Sequence, residues 1–261
     1  MGRLTTIKNR IYSDYFISSR LNEYEEVIKQ LSESGYQHIT FREYKKLLDT
    51  NSLSGKYFIN RHDIDTDVKT SKKFFNIEKI YNVKATYYFR LSTLDFEFMK
   101  EIEEYGSEAS YHFEEIATFA KDNHIKSKEE ILSRLDEIKE VFKENFKMVE
   151  NRGGMKLQTV CSHGDFANRQ LEIVNNEITK DFSLREELGI TCETYDKDLM
   201  DSFDIYVSDK PYPIFYTPKS IFKYIGKKDI ICMLTHPRQW NTSFFCNTKE
   251  NLKRLYEGFI W

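Results

Sequence analysis

The sequence predicts an α/β fold in which a parallel sheet is covered by helices, as a barrel or a nearly closed relative of one. Segments with helical spacing of apolar residues alternate with short runs rich in β-branched and aromatic residues. So many alternating units in 261 residues are typical of a barrel. No repeat, Pro/Gly-rich linker or low-complexity tract divides the sequence, so we expect one domain over residues 1–261.

The predicted helices and strands follow from spacing and from end signals. Ser127 with Glu130 forms a capping box before the longest helix, and Asn247 with Glu250 repeats it before a last helix at the end of the chain. The longest predicted helix covers residues 127–146, and the others before the last helix cover residues 21–34, 71–81 and 96–105. The predicted strands are 57–59, 86–89, 108–111, 157–161, 190–192 and 230–234.

The composition indicates a well-packed globular protein. Hydrophobic residues make up 40% and charged residues 31%. The 39 Lys and Arg nearly balance the 42 Asp and Glu, so the net charge of −3 gives no bulk field that would attract nucleic acid or an anionic membrane. The widely spaced cysteines form no C-x-x-C pair and are expected to be reduced core thiols: Cys161, Cys192, Cys232 and Cys246.

The expected location is the cytoplasm. Residues 1–19 lack the apolar run of a signal peptide, and no stretch approaches the roughly 20 apolar residues that span a bilayer. We therefore expect neither a membrane span nor a nucleic-acid partner.

The most informative segment is Arg61-His62-Asp63-Ile64-Asp65, which follows an apolar strand. Side chains two apart in an extended segment share a face, so Asp63 and Asp65 should point the same way. Two adjacent carboxylates repel each other unless a cation or a shared proton relieves them. The pair therefore indicates a metal or acid/base site, or alternatively an Asx-turn with solvated carboxylates.

Other polar residues also follow predicted strands. In a parallel α/β fold the carboxyl ends of the strands meet at one edge, where ligands bind. Arg90, His112, His163 and His236 all lie at such ends. We therefore expect these side chains to converge with Asp63 and Asp65.

One carboxylate and two imidazoles are sufficient to hold a divalent metal with open positions. We assign Asp65, His112 and His163 as ligands of one ion, with zinc expected. Such an ion supplies hydroxide near neutral pH and polarises a carbonyl, which favours amide or ester hydrolysis. Asp63 is then the candidate base and His236 the candidate acid.

Three further residues are candidates for substrate binding: Arg61, Arg90 and Trp240. Arg61 also suits the orientation of Asp63 by a charge-assisted hydrogen bond. Arg90 is interpreted as a substrate clamp or as an ion-pair partner of the aspartates. Trp240 is interpreted as a platform for stacking a sugar or as surface packing.

Each histidine has a structural alternative. His112 lies between aromatic residues and suits a hydrogen-bonded core position. His163 precedes a glycine and suits the cap of a turn. His236 precedes Pro237, which fixes its backbone.

Five segments, in order, resemble motifs of the polysaccharide deacetylase family, the NodB-homology, carbohydrate esterase 4-like enzymes. The resemblance is greatest to divergent members encoded with surface-polysaccharide genes, such as those for lipopolysaccharide or capsule. It implies a distorted (β/α) barrel that hydrolyses acetyl groups from sugars, with the base and a metal ligand in the first segment, a metal-binding histidine in the third and the acid histidine in the last. The segments are residues 61–65, 85–89, 106–112, 161–164 and 234–237.

The chain departs from the family pattern at two positions. Common members have adjacent aspartates, whereas Ile64 separates the two here. They also carry a second histidine four residues after the first, where this chain has Ile116. We expect His163 to complete the metal site, with Glu115 and Asp165 as lesser candidates.

The expected function is metal-dependent removal of an acetyl group from an amino sugar or a surface-glycan precursor. A cytoplasmic protein would meet a small nucleotide-linked or lipid-linked sugar rather than a finished polymer. The alternatives are a non-catalytic sugar-binding barrel and a hydrolase of another C–N bond, in a formamide or a ring amide.

Overall fold

Nine strands form one sheet in the computed structural model, which describes residues 3–261. They are numbered β1 to β9 along the chain. The strands are Gln37–Ile39, Tyr57–Ile64, Thr86–Phe89, Glu108–Phe113, Thr159–Ser162, Cys192–Glu193, Ile205–Asp209, Tyr216–Thr217 and Ile230–Thr235.

The sheet is almost entirely parallel. Its order is β6-β5-β4-β3-β2-β9-β7-β8, and β1 pairs with the first part of β2. Only the β7–β8 pairing is antiparallel among the described strands. β2 is fully buried and lies at the centre, between β9 and β3. The carboxyl ends of the parallel strands therefore form one edge around β2.

The sheet is curled into an incomplete barrel. Side chains from β2, β3, β5, β6 and β9 meet in one buried cluster, although β6 and β9 are far apart in the strand order. This cluster includes Tyr57, Tyr88, Cys161, Cys192 and Cys232. β6 and β8 do not pair with each other within residues 3–261. The α/β barrel prediction is thus confirmed, in a form that is not fully closed.

Twelve α-helices, α1 to α12, flank this sheet in the described part of the chain. A larger cluster of apolar side chains packs the helices against its outer face. The helices are Arg3–Tyr15, Leu21–Glu33, Phe41–Asp49, Val68–Tyr81, Phe96–Tyr105, Glu115–Asp122, Lys128–Ser133, Leu135–Gly153, Phe166–Leu171, Phe182–Leu188, Lys197–Asp201 and Phe244–Ile260.

The prediction of one helix over residues 127–146 is wrong, because two helices occupy this part of the chain. Ser127 caps α7 by accepting a hydrogen bond from the N–H of Glu130, as expected. At Arg134 the backbone leaves the helical region, with φ −111° and ψ 15°. The Arg134 guanidinium lies 4.4 Å from the ring centre of Phe119. A tertiary contact therefore accompanies a break that local propensity did not predict.

The start of the last helix also differs from the prediction. α12 follows Ser243, so Asn247 lies inside the helix rather than at its cap. The Asn247 side-chain amide donates a hydrogen bond to the backbone carbonyl of Asp14, at the end of α1, at 2.6 Å. This contact joins the two ends of the chain, and spacing along the sequence could not reveal it.

Two predictions from composition are consistent with the fold. All four cysteines are free thiols, of which only Cys246 is not buried. Among residues 3–261, no helix has both the length and the apolar character needed to cross a bilayer.

Candidate active site

The carboxyl edge of the sheet brings the predicted acidic and histidine residues together. Asp63 lies near the end of β2, and Asp65 directly follows the strand. His112 lies in β4 and His163 directly follows β5. His236 follows β9, the other neighbour of β2. The strand order therefore places all five residues at one site.

Three of these side chains form a compact triangle of potential metal-binding atoms. The Asp65 Oδ1 atom lies 3.3 Å from Nε2 of His112 and 3.1 Å from Nδ1 of His163. The two ring nitrogens are 3.1 Å apart. Atoms that share one tetrahedral zinc ion at bonds of about 2.0–2.1 Å are separated by about 3.3 Å. The observed spacing thus fits a single small divalent ion.

The backbone fixes the orientation of both imidazoles. Nδ1 of His112 lies 3.0 Å from the carbonyl oxygen of Cys161, so this nitrogen donates and leaves Nε2 free to accept a cation. The backbone N–H of His163 donates to the Phe113 carbonyl at 2.8 Å. The side chain of Asn175 donates to the His163 carbonyl at 2.6 Å. These hydrogen bonds hold the two imidazole rings in position without a bound ion.

The charge state and burial of Asp65 also fit a cation. Its Oδ1 atom is buried and has no hydrogen-bond partner among residues 3–261. Burial opposes ionisation, but His163 and His112 outweigh it and hold the pKa of Asp65 well below its ordinary value. A buried, ionised oxygen needs positive charge beside it, which the two protonated imidazoles or one metal ion bound to them can supply.

Arg61 binds Asp63 through two of its guanidinium nitrogens. Nε and Nη2 donate to the two carboxylate oxygens at 2.8 and 2.7 Å. Burial by itself raises the pKa of Asp63, but the charge and hydrogen bonds of Arg61, together with the charges of His112 and His236, outweigh it and the pKa is lowered. The carboxylate is therefore ionised and held in one orientation.

The expected role of Arg61 in substrate binding does not fit its position. The side chain is 0% exposed, and its Nη2 also contacts Sγ of Cys161 and donates to Tyr195 Oη at 2.9 Å. Arg61 lies beneath Asp63 and is screened from any substrate. Its expected role in orienting Asp63 does fit these contacts.

His236 is held by an aspartate that is not among the residues predicted from the sequence. The backbone N–H of His236 donates to Oδ2 of Asp209 at 2.6 Å, and its Nδ1 lies 2.6 Å from Oδ1. Burial lowers the pKa of His236, but Asp209 outweighs it and raises that pKa to about 9. Residues 205–209 are a β-branched and aromatic run ending in Asp, a signal that resembles the end of β2 and would have identified this residue.

Trp240 is buried, which contradicts the expectation of a stacking platform or of surface packing. Its side chain is 0% exposed and packs against the rings of Tyr24, Phe74 and Tyr216. Its Nε1 donates to Oδ2 of Asp209 at 2.8 Å. Trp240 therefore supports the carboxylate that holds His236.

Arg90 pairs with a residue other than the two aspartates. Its guanidinium donates to both oxygens of Glu114, at 2.7 and 2.6 Å from Nη2. Nη1 reaches only the backbone carbonyl of Asp65, at 3.4 Å. Because the side chain is buried and engaged by Glu114, neither the substrate clamp nor an ion pair with the aspartates is supported.

The position of the usual second histidine lies outside the site. Ile116 is 0% exposed and belongs to the outer apolar core. Glu115 accepts hydrogen bonds from Tyr111 and Asn145, so it faces away from the triangle. Asp165 lies near His163 but caps α9. Among the residues weighed from the sequence, His163 is the one that joins Asp65 and His112.

A second group of potential ligands consists of Asp63, His112 and Cys161. A cation there would meet the guanidinium of Arg61, which binds both oxygens of Asp63 and contacts the Cys161 sulfur. Repulsion between the two positive charges disfavours this position. The triangle that contains Asp65 is the better metal site.

A cavity of 430 Å³ opens at this edge of the sheet. Asp63, Asp65 and His236 line it, so the candidate base, a candidate ligand and the candidate acid share one space. Its volume lies within the range of about 300 to 1,000 Å³ that is typical of small-molecule sites.

Comparisons with known proteins give only distant likenesses. No protein-family model and no curated protein match this chain. The structure of Streptococcus pyogenes deacetylase PplD in complex with acetate aligns at 14% identity over 73% of this chain and 76% of that chain, with a TM-score of 0.47. A BA3943 mutant, a CE4 family pseudoenzyme with restored enzymatic activity, aligns at 13% identity over 78% of this chain and 69% of that chain, with a TM-score of 0.40.

Proposed function

We propose that this protein is a metal-dependent hydrolase that removes an acetyl group from the nitrogen of an amino sugar. The observation that carries the proposal is the triangle of Asp65 Oδ1, His112 Nε2 and His163 Nδ1, with sides of 3.1 to 3.3 Å. The resemblance of five sequence motifs to polysaccharide deacetylases points to the reaction and to a sugar substrate. We further propose a zinc ion and a surface-glycan precursor in the cytoplasm.

Asp65, His112 and His163 are the residues that would hold the ion. When bound, such an ion lowers the pKa of water towards about 7 and polarises the acyl carbonyl. The rigid backbone contacts of His112 and His163 keep both ligands in place without the ion.

Asp63 and His236 supply the two proton transfers that amide hydrolysis needs. Asp63 is ionised because of Arg61 and accepts a proton from the attacking water. The water oxygen bonds to the acyl carbon. His236, protonated because of Asp209, donates a proton to the nitrogen as the C–N bond breaks. The products are acetate and the free amino sugar.

Acetate release tests this proposal directly. Zinc-loaded protein is incubated with N-acetylglucosamine, its 1-phosphate and its uridine diphosphate derivative, and released acetate is measured. We expect release from at least one substrate, its loss on chelation, and its recovery when zinc is restored. Release that survives both chelation and Asp65→Ala, or no release from any N-acetylated sugar by zinc-loaded protein, would contradict the proposal.

A further inference from the structure

The cavity next to Asp63 and His236 is lined by acidic residues at the strand ends and mainly by basic residues elsewhere. Of its four acidic lining residues, Asp63, Asp65 and Asp209 lie at strand ends, whereas Asp14 lies in α1 beside the arginines. Its basic lining residues come from helices and loops: Arg10, Lys210, Arg238 and Arg254. The residues at the acidic end take part in the proposed hydrolysis, whereas those at the basic end have no role in it.

Two of these arginines converge on the same acceptors. Arg10 and Arg238 both donate to the side-chain oxygen of Asn251, at 3.2 and 3.0 Å. Both also lie near Asp14, with their nearest nitrogen to oxygen distances at 3.5 and 2.8 Å. Two guanidinium groups, from α1 and from the turn after β9, therefore share one buried carboxylate.

The positive charge of this cluster exceeds the negative charge within it. Arg254 pairs with Glu250 at 2.7 Å, so three guanidinium groups face two carboxylates there. Burial lowers the pKa of Arg10, and Arg238 and Arg254 lower it further, while Asp14 opposes them. Nearby like charges repel each other, and an anion in the cavity would relieve this repulsion.

The basic groups that line the cavity differ in how they are satisfied. Arg238 is 11% exposed and is held by Asp14 and Asn251, and its buried Nη1 atom, which has no hydrogen-bond partner among residues 3–261, does not open onto the cavity. No ion pair is found for the Lys210 ammonium among the same residues, although Lys210 also lines the cavity. An anion bound in the cavity would supply an acceptor to the Lys210 ammonium.

We infer that the substrate carries a phosphate or diphosphate group next to its acylated sugar, bound by Arg10, Arg238, Arg254 and Lys210. The guanidinium fork matches phosphate oxygens, and several converging forks suit a dianion better than a neutral glycan. The cavity of 430 Å³ connects this basic end to Asp63 and His236. The inference rests on the proposed function and narrows its substrate from a sugar to a sugar phosphate ester.

The test compares kcat/KM for acetate release from N-acetylglucosamine 1-phosphate and from the neutral methyl glycoside of N-acetylglucosamine. We expect the phosphate ester to be preferred by about tenfold or more, because hydrogen bonds to charged groups are the strong ones. Arg238→Gln, Lys210→Gln and Arg254→Gln should each reduce this preference, and Arg254 is the most exposed of the three residues, at 40%. Arg152→Gln is the matched control, since Arg152 is exposed at the end of α8 that precedes the opposite edge of the sheet. Equal kcat/KM for the two sugars in the wild-type protein, or a preference for the phosphate ester that persists in all three variants, would overturn the inference of a phosphate site. Neither result would contradict the proposed function.

Two further experiments identify the source of the phosphate and test the anion site independently of catalysis. Uridine diphosphate and short-chain polyprenyl diphosphate derivatives of N-acetylglucosamine distinguish a nucleotide source of the phosphate from a lipid source. If no sugar releases acetate, calorimetric binding of inorganic diphosphate to the full chain decides the anion site. In that case, the anion site is supported if diphosphate binding is weakened by Arg238→Gln and Lys210→Gln but not by Arg152→Gln. The proposed function would then fail while the site stands. No binding to the wild-type protein would overturn the site.

Discussion

Asp209 accepts a hydrogen bond from the backbone N–H of His236 at 2.6 Å and lies at the same distance from its ring Nδ1. The carboxylate oxygen that accepts from the backbone also accepts a hydrogen bond from Trp240 Nε1. Asp209 overcomes the effect of burial and raises the pKa of His236 to about 9. The imidazole therefore carries its proton at neutral pH, as a proton donor to a leaving amine must.

Replacing Asp209 by Asn should move the alkaline limb of the pH–rate profile to lower pH. The pKa of His236 is raised by Asp209 to about 9, so the protonated acid persists until the pH rises through that value. Without the carboxylate, burial remains and lowers the pKa, so activity should fall at a lower pH. The measurement is kcat against pH for the wild-type and variant proteins.

Asp198→Asn is the control for this change, because Asp198 is 65% exposed in α11. It should leave the alkaline limb in place. An unchanged profile in Asp209→Asn, with activity retained, would show that His236 is not the acid.

Removing a ligand should abolish metal retention. Asp65→Ala and His163→Ala each take one donor from the triangle, and we expect metal affinity to fall by more than about tenfold. His124→Asn is the matched control, because His124 is exposed and has φ 55°, which asparagine tolerates. Metal content after gel filtration is measured by elemental analysis. Full occupancy in both ligand variants would rule out this site.

Replacing Arg61 by Lys should lower kcat and leave KM nearly unchanged. Arg61 contacts Asp63 through two hydrogen bonds and is fully buried, so it orients the base without reaching the substrate. Lysine keeps the charge but not the fork, and the expected loss in kcat is roughly tenfold to a hundredfold. Steady-state kinetics measures the effects on kcat and on KM separately. A rise in KM with kcat retained would instead restore a substrate-binding role.

Trp240→Ala should destabilise the fold by about 3–5 kcal/mol, the usual cost of removing a large buried ring. Trp240 packs against Tyr24 and Phe74 and is 0% exposed. Denaturant unfolding measures the change. Exposed Phe245, at 78% exposure, gives the control Phe245→Ala, which should alter stability little. A stable Trp240→Ala protein with only weakened sugar binding would favour the stacking platform.

Ile116→His should not create a better metal site. Ile116 is 0% exposed within the outer apolar core, so an imidazole there would be buried away from the triangle. We expect a loss of roughly 1–3 kcal/mol in the free energy of unfolding, with no gain in metal affinity. Ile116→Val is the conservative control. Tighter zinc binding in Ile116→His would mean that this position faces the site after all.

The sequence indicated that the acidic and histidine residues lie at one edge of the sheet, because they follow strong strand signals. Asp63, Asp65, His112, His163 and His236 all lie at the ends of strands recognised from apolar runs. In a parallel sheet, the carboxyl ends of the strands lie at one edge. Their position at that edge could therefore be inferred from the sequence, whereas their close approach depends on the strand order and the curl of the sheet.

The surroundings of these residues depend on contacts between distant segments, and the sequence did not reveal them. Asp209 was missed because β7 was not recognised as a strand. Burial of Trp240 depends on α2 and α4, which contribute Tyr24 and Phe74. The partner of Arg90, Glu114, follows a different strand. Local patterns indicate which residues can do chemistry, whereas tertiary packing determines which of them face the cavity.

The most direct test of the central claim is anomalous diffraction from crystals of the full chain soaked in zinc. The account predicts one peak bound by Asp65 Oδ1, His112 Nε2 and His163 Nδ1, each at about 2.0–2.2 Å from the ion. A zinc ion bound by other side chains with this triangle left unoccupied, or no peak at saturating zinc, would contradict it.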